Sequence, residues 1–208
     1  MNMDPKLMIA MIAVVFVADF GLQFYQRKKR NKTLEKLTDL LAQKDFAAFD
    51  ELVDAPETRK QFPIYNLNFL KLNEAFLKED KKQIRKAFES FNGLRMNKLQ
   101  KEALYKRGFY YFLSEEDKEN TRVYYDLLKD LNIRDQETLD VMYDTYILKG
   151  YKYLDQIQKQ CDEAEGDGKM AFYALLSDMY HNRGDEDKAR EYENLIADIG
   201  EEIKEKTE

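Results

Sequence analysis

From Leu7 to Tyr25 the chain carries a single charge, Asp19, over about 19 residues. As a helix rising roughly 1.5 Å per residue, that stretch nearly matches the ~30 Å hydrocarbon thickness of a bilayer. Five cations follow at once: Arg27, Lys28, Lys29, Arg30 and Lys32. The pattern predicts a transmembrane helix over residues 7–26, with a short segment 1–6 before it and a basic juxtamembrane linker 27–32 after it. A cleaved leader would place its cations before the apolar run and a small-x-small site after it. Only Lys6 and the α-amino group precede this run, and no Ala-x-Ala closes it. A buried helix of a soluble domain is the other alternative, because only Leu7 to Ala18 is free of charge.

Asp19 lies six residues before Tyr25, roughly 9 Å inside that end, and reaches toward the headgroups. It is a candidate contact to another membrane helix, or an interfacial carboxylate beside the cations. Arg27, Lys28, Lys29, Arg30 and Lys32 are the topology determinants: cations concentrate on the cytoplasmic flank, so the N-terminus is expected outside and residues 27 onward inside. The expected location is the cell membrane, spanned once. The single cysteine, Cys161, agrees with a reducing compartment.

Beyond the anchor about 175 residues remain, enough for a sizeable core. Charged residues make up 36%, aromatics 13%, and proline occurs 3 times, which suits helices and argues against disorder. Residues 1–100 hold 18 Lys and Arg against 13 Asp and Glu, a net +5; residues 101–208 hold 16 against 27, a net −11. A basic membrane-proximal half is drawn to an anionic leaflet, and an acidic distal half is held off it. Nucleic acid is not an expected partner of so acidic a domain.

Self-similarity recurs with unit starts near residues 65, 101, 135 and 170, spaced by 36, 34 and 35. The last unit is the clearest. Tyr173, Leu176 and Tyr180 share one helical face, Gly184-Asp185 makes a turn, and small Ala189 lets a second helix approach. Leu72, Ala75, Ile84, Phe88 and Phe91 serve the unit from Tyr65. Leu104, Gly108, Tyr111, Tyr124 and Leu127 serve the next, with Asn120 where a small residue is usual. Val141, Leu154, Ile157 and Cys161 serve the third. A truncated first unit, Leu34, Leu37, Leu41 and then Phe46, Phe49, Leu52 and Val53, caps the series.

With Tyr173, Leu176, Ser177, Tyr180, Gly184, Ala189 and Ile196 at the matching positions, the last unit resembles the tetratricopeptide repeat, a helix–turn–helix of about 34 residues. The expected fold is all-α: an N-terminal transmembrane helix, then an α-solenoid of such repeats over 33–199, then a charged tail 200–208. The resemblance implies a peptide-binding inner face on the first helix of each unit. That projects onto Asn66, Phe69, Asn73 and Phe76, then Tyr105, Phe109 and Phe112, then Asp178, His181 and Asn182.

Catalytic sets are missing. His181 and Cys161 are the only histidine and cysteine and fall in different units, so no nucleophile–base pair is expected. No Cys/His cluster has metal spacing, and Asp185-Glu186-Asp187 lacks the glycine and distal ligand of a calcium loop. No catalytic residue, metal or other cofactor is predicted, and the chain is not read as an enzyme. The expected function is a single-pass, membrane-anchored cytosolic scaffold recruiting a protein or peptide partner. An extracytoplasmic folding or envelope-assembly factor, and a regulatory subunit of a membrane enzyme, are the alternatives.

Overall fold

A computed structural model describes residues 27–205, and every described element is helical, without a strand. Among these residues no helix is long and apolar enough to cross a membrane. The anchor expected over 7–26, with Asp19, lies outside the described residues. The chain divides into two compact units, one ending at Met96 and the other beginning at Asn97.

The first unit contains α1 (27–42), α2 (Phe46–Asp54), α3 (Pro56–Gln61), α4 (Ile64–Leu77) and α5 (Lys81–Glu89). Residues 27–32, read as a linker, are helical and continuous with α1. Apolar residues at helical spacing build the core: Leu37 and Leu41 of α1 meet Phe49 and Val53 of α2, Phe62, and Leu67 and Leu70 of α4. Pro56 sits in the first turn of α3, where its missing N–H costs nothing. Asp54 pairs with Arg59 (2.8 Å) and Lys71 (2.6 Å), tying α2 to α3 and α4.

The second unit contains α6 (Lys98–Ser114), α7 (Lys118–Leu131), α8 (Gln136–Met142), α9 (Leu154–Glu163), α10 (Lys169–Arg183) and α11 (Glu186–Glu205). Asn97 and Gln100 form a reciprocal capping box that starts α6. Gly108 lets α6 and α7 close up: a Cβ there would lie 2.5 Å from the Tyr124 ring. Close approach is therefore supplied by Gly108, which explains why the expected small residue at position 120 is dispensable. One core gathers Phe109, Leu128, Ile133 and Leu139; another gathers Val141, Leu154, Ile157, Cys161, Leu176, Met179, Tyr180 and Ala189.

Four interhelical turns share one construction. Lys44, Glu79, Glu116 and Gly184 adopt positive φ. Each precedes an aspartate whose carboxylate accepts a backbone N–H of the next helix: Asp45 from Ala48 (3.1 Å), Asp80 from Gln83 (3.1 Å), Asp117 from Asn120 (3.1 Å) and Asp185 from Lys188 (3.4 Å). The same aspartates donate their own N–H groups back to Leu40, Ala75, Phe112 and Tyr180. One residue thus ends one helix and starts the next.

Candidate functional site

The turn after α8 departs from that construction. Tyr143–Ile147 widens into a π-helical turn, closed by Leu148 N–H to Tyr143 O (3.1 Å), and Gly150 N–H reaches Asp144 O (2.8 Å). Such one-turn widenings concentrate at functional sites. Three neighbours hold this one. The Tyr143 ring stacks on Tyr125 with centroids 4.0 Å apart. Asn182 of α10 donates from its side-chain amide to Thr145 O (2.9 Å) and Gly150 O (3.0 Å). The Asp144 carboxylate accepts from Lys152 N–H (3.0 Å) and occupies the space a Cβ at residue 150 would need.

Against this turn opens a cleft of about 580 Å³, inside the range that encloses small ligands or a partner's side chains. Tyr110 and Leu113 of α6 form one wall; Met142, Tyr146 and Ile147 form the other. Glu116, Lys118 and Lys149 bring charge to its lining. Burial, aided by the Asp178 carboxylate, pushes the Tyr146 hydroxyl above the usual phenol range. Its hydroxyl hydrogen-bonds the Asp178 carboxylate, so Tyr146 gives the apolar wall its ring and a polar tip held by α10.

The residues projected from the repeat pattern differ in burial and in what they touch. Phe109 is wholly buried and Phe112 is 3% exposed, stacked on Tyr124 at 5.4 Å, so both belong to the core. This corrects their assignment to a groove: the α6–α7 interface needs that face for packing, and a buried ring cannot meet a ligand. Phe69, Phe76 and Tyr105 are half-buried against rings of their own unit, Phe69 on Tyr65 (5.7 Å), Phe76 on Phe88 (6.2 Å) and Tyr105 on Tyr124 (6.1 Å). Asn66 is exposed and Asn73 half-buried on α4. Asp178 and Asn182 of α10 do converge, on the π-turn rather than on an open groove, and Asn182 acts as a clamp whose amide is engaged.

His181 is exposed and bridges two carboxylates of α11, Glu186 at 2.9 Å through Nδ1 and Glu193 at 3.0 Å through Nε2. These carboxylates, Glu193 foremost, hold its pKa above the usual histidine value. Cys161 is buried in an apolar stripe, and burial pushes its thiol up, away from the reactive thiolate. Among the described residues, no three of His, Cys, Asp and Glu come together as a metal ion would require. Arg27, Lys28, Lys29, Arg30 and Lys32 are all exposed on α1.

Tyr110, Met142, Tyr146, Ile147 and Lys149 were not singled out from the sequence. The only signal was indirect: the unit from Asp135 turns at Lys149-Gly150, without the aspartate that marks the other turns. No family model, no curated protein and no solved structure matches this chain.

Proposed function

We propose that the chain is a single-pass, membrane-anchored helical-repeat scaffold that holds a partner polypeptide at the cytoplasmic face of the membrane. The cleft beside the π-turn carries the reading. Its apolar walls suit an aromatic or branched side chain of the partner, and Lys118 and Lys149 suit a neighbouring carboxylate. The repeat assignment is supported by the turn aspartates at 45, 80, 117 and 185, which fall 35, 37 and 68 residues apart, the last being two periods. The anchor is supported by the apolar run before Arg27 and the exposed cations after it. Function would arise by tethering: confinement beside the membrane raises the partner's effective concentration without chemistry by the scaffold.

A photo-crosslinking residue at Tyr110, in the cleft, is compared with one at Val123, exposed elsewhere on the second unit, in the full chain within membranes. The expected result is an adduct from position 110 alone, lost when Ile147→Asp places a charge on the opposite wall. Equal adducts from both positions, or no response to Ile147→Asp, would remove the cleft from the mechanism. Sidedness is read by thiol labelling of Cys161 with an impermeant reagent, after denaturation because the thiol is buried. Labelling only in permeabilised cells is expected.

A further inference from the structure

In the first unit three segments meet at one end. Thr33 of α1 donates its hydroxyl to Gln61 Oε1 at the end of α3 (3.2 Å). The next helix, α4, starts there at Ile64, and its first turns hold the chain that follows α5: Tyr65 meets Phe91 edge-on (5.5 Å) and Asn68 donates to Ser90 O (2.8 Å). The start of α1, the α3–α4 junction and residues 90–95 therefore form one face, at the end of the unit from which the expected anchor departs. The opposite end is marked by Lys78, which sits 4.9 Å over the Phe46 ring beside the α1–α2 turn.

This face is cationic and apolar together. Arg27, Lys28, Lys29, Arg30, Lys32, Lys60 and Arg95 are exposed on these segments, opposed by Glu35, Glu57 and Glu89, while Arg59 pairs with Asp54, which it shares with Lys71. Ile64 stands 57% exposed and Leu34 40% exposed among them; Leu77, at the far end of α4, is exposed too but has no such run of cations about it. From Arg27 to Thr33 is about 9 Å of helix. The headgroup layer on one side of a bilayer is about 5–8 Å thick, and the Debye length is about 8 Å at physiological salt.

We infer that this face rests on the headgroups of an anionic leaflet, with its cations reaching the lipid phosphates and Ile64 and Leu34 at the outer edge of the headgroup layer. The first unit then makes a second membrane contact, beyond the single tether, that orients this unit on the bilayer. The inference rests on the anchor reading, which places the bilayer next to Arg27. Charge complementarity selects the lipid surface as occupant: seven exposed cations against Glu35, Glu57 and Glu89 leave these segments net positive, which matches the phosphates, and exposed aliphatic side chains beside cations suit the edge of a headgroup layer.

The chain has no tryptophan, so a single introduced Trp reports alone. Full-length Ile64→Trp, Leu34→Trp and Leu77→Trp are reconstituted in vesicles of phosphatidylcholine and phosphatidylserine, with a headgroup-spin-labelled lipid as quencher. Leu77 is 43% exposed at the far end of α4, about 20 Å further from the face. Quenching several-fold stronger at positions 64 and 34 than at 77 is expected. It should fall toward the position-77 level in Lys60→Glu/Arg95→Glu, in phosphatidylcholine alone, or at high salt. Equal quenching at all three positions, or quenching indifferent to charge and salt, overturns the inference. Shielding of position 64 from aqueous iodide without quenching by lipid assigns the face to a protein partner and also overturns it. Alkaline carbonate extraction of the unmodified chain is run alongside. Release from the vesicles refutes the anchor itself, whereas retention without quenching at 64 and 34 refutes only the resting face.

Discussion

Replacing Gly108 by Ala tests how the helices of the second unit pack. An alanine Cβ would lie 2.5 Å from Tyr124 Cε1 and 2.6 Å from its Cδ1 and Cζ. Carbon atoms settle at about 3.5–4.0 Å, so the ring must withdraw by about 1 Å. It has little freedom to do so: it stacks on buried Phe112 at 15° and meets Tyr105 edge-on at 6.1 Å. Overpacking of this kind costs about 1–3 kcal/mol, while Gly to Ala inside a helix recovers about 1 kcal/mol. Contacts this short put the overpacking cost in the upper part of that range, about 2–3 kcal/mol, so the net expectation is a loss of about 1–2 kcal/mol, or a Tm lower by about 4–8 °C for a unit of this size. Thermal and urea unfolding followed by circular dichroism measure it. In a Tyr124→Leu background the clash is gone, and Gly108→Ala should instead stabilise by about 0.5–1 kcal/mol. A neutral or favourable Gly108→Ala in the wild-type background would refute the reasoning, because it would mean the ring moves freely.

Removing the turn carboxylates by Asp80→Ala or Asp117→Ala should each cost about 1 kcal/mol in urea unfolding, as expected for an N-cap. Asn182→Ala strips two carbonyls of their donor and should cost about 1–3 kcal/mol, with faster amide exchange confined to residues 143–152. His181 gives a pH signature. Its folded pKa lies above the unfolded value near 6.5 because of Glu193 first and Glu186 with it, so the folded state binds the proton more tightly. The stabilisation is complete below about pH 6.5 and disappears as pH rises through the folded pKa; Tm should fall over that window in the wild type and not in His181→Gln. An NMR titration midpoint at or below 6.5 would reverse the sign.

Helix placement was legible because it depends on short-range spacing. The spans beginning near 65, 101, 135 and 170 coincide with α4–α5, α6–α7, α8–α9 and α10–α11, and the stripe Leu154, Ile157, Cys161 is buried as its periodicity requires. The turn at Gly184 was legible too, since positive φ is easiest for glycine. At Lys44, Glu79 and Glu116 the same conformation falls on ordinary residues, and only the following aspartate hints at it. The candidate site was largely illegible. On α6, Phe109, Tyr110 and Phe112 are neighbouring aromatics of similar character, yet Tyr110 lines the cleft while both phenylalanines are buried. Which ring turns outward depends on how α7 docks across Gly108, and no local pattern encodes that.

The sequence by itself determined that the described chain is helical, where its helices turn, and where charge lies along it. These follow from spacing, capping and composition within a few residues. The cleft and the clamp from Asn182 were decided only by tertiary structure, because both need groups more than thirty residues apart to meet: Tyr110 and Tyr146 line one cleft, and Asn182 reaches Thr145 and Gly150 within hydrogen-bond distance, holding the π-turn. The same holds for the basic face of the first unit. Its cations are scattered between residues 27 and 95, and they come near one another only because the start of α1, the end of α3 and the chain after α5 meet.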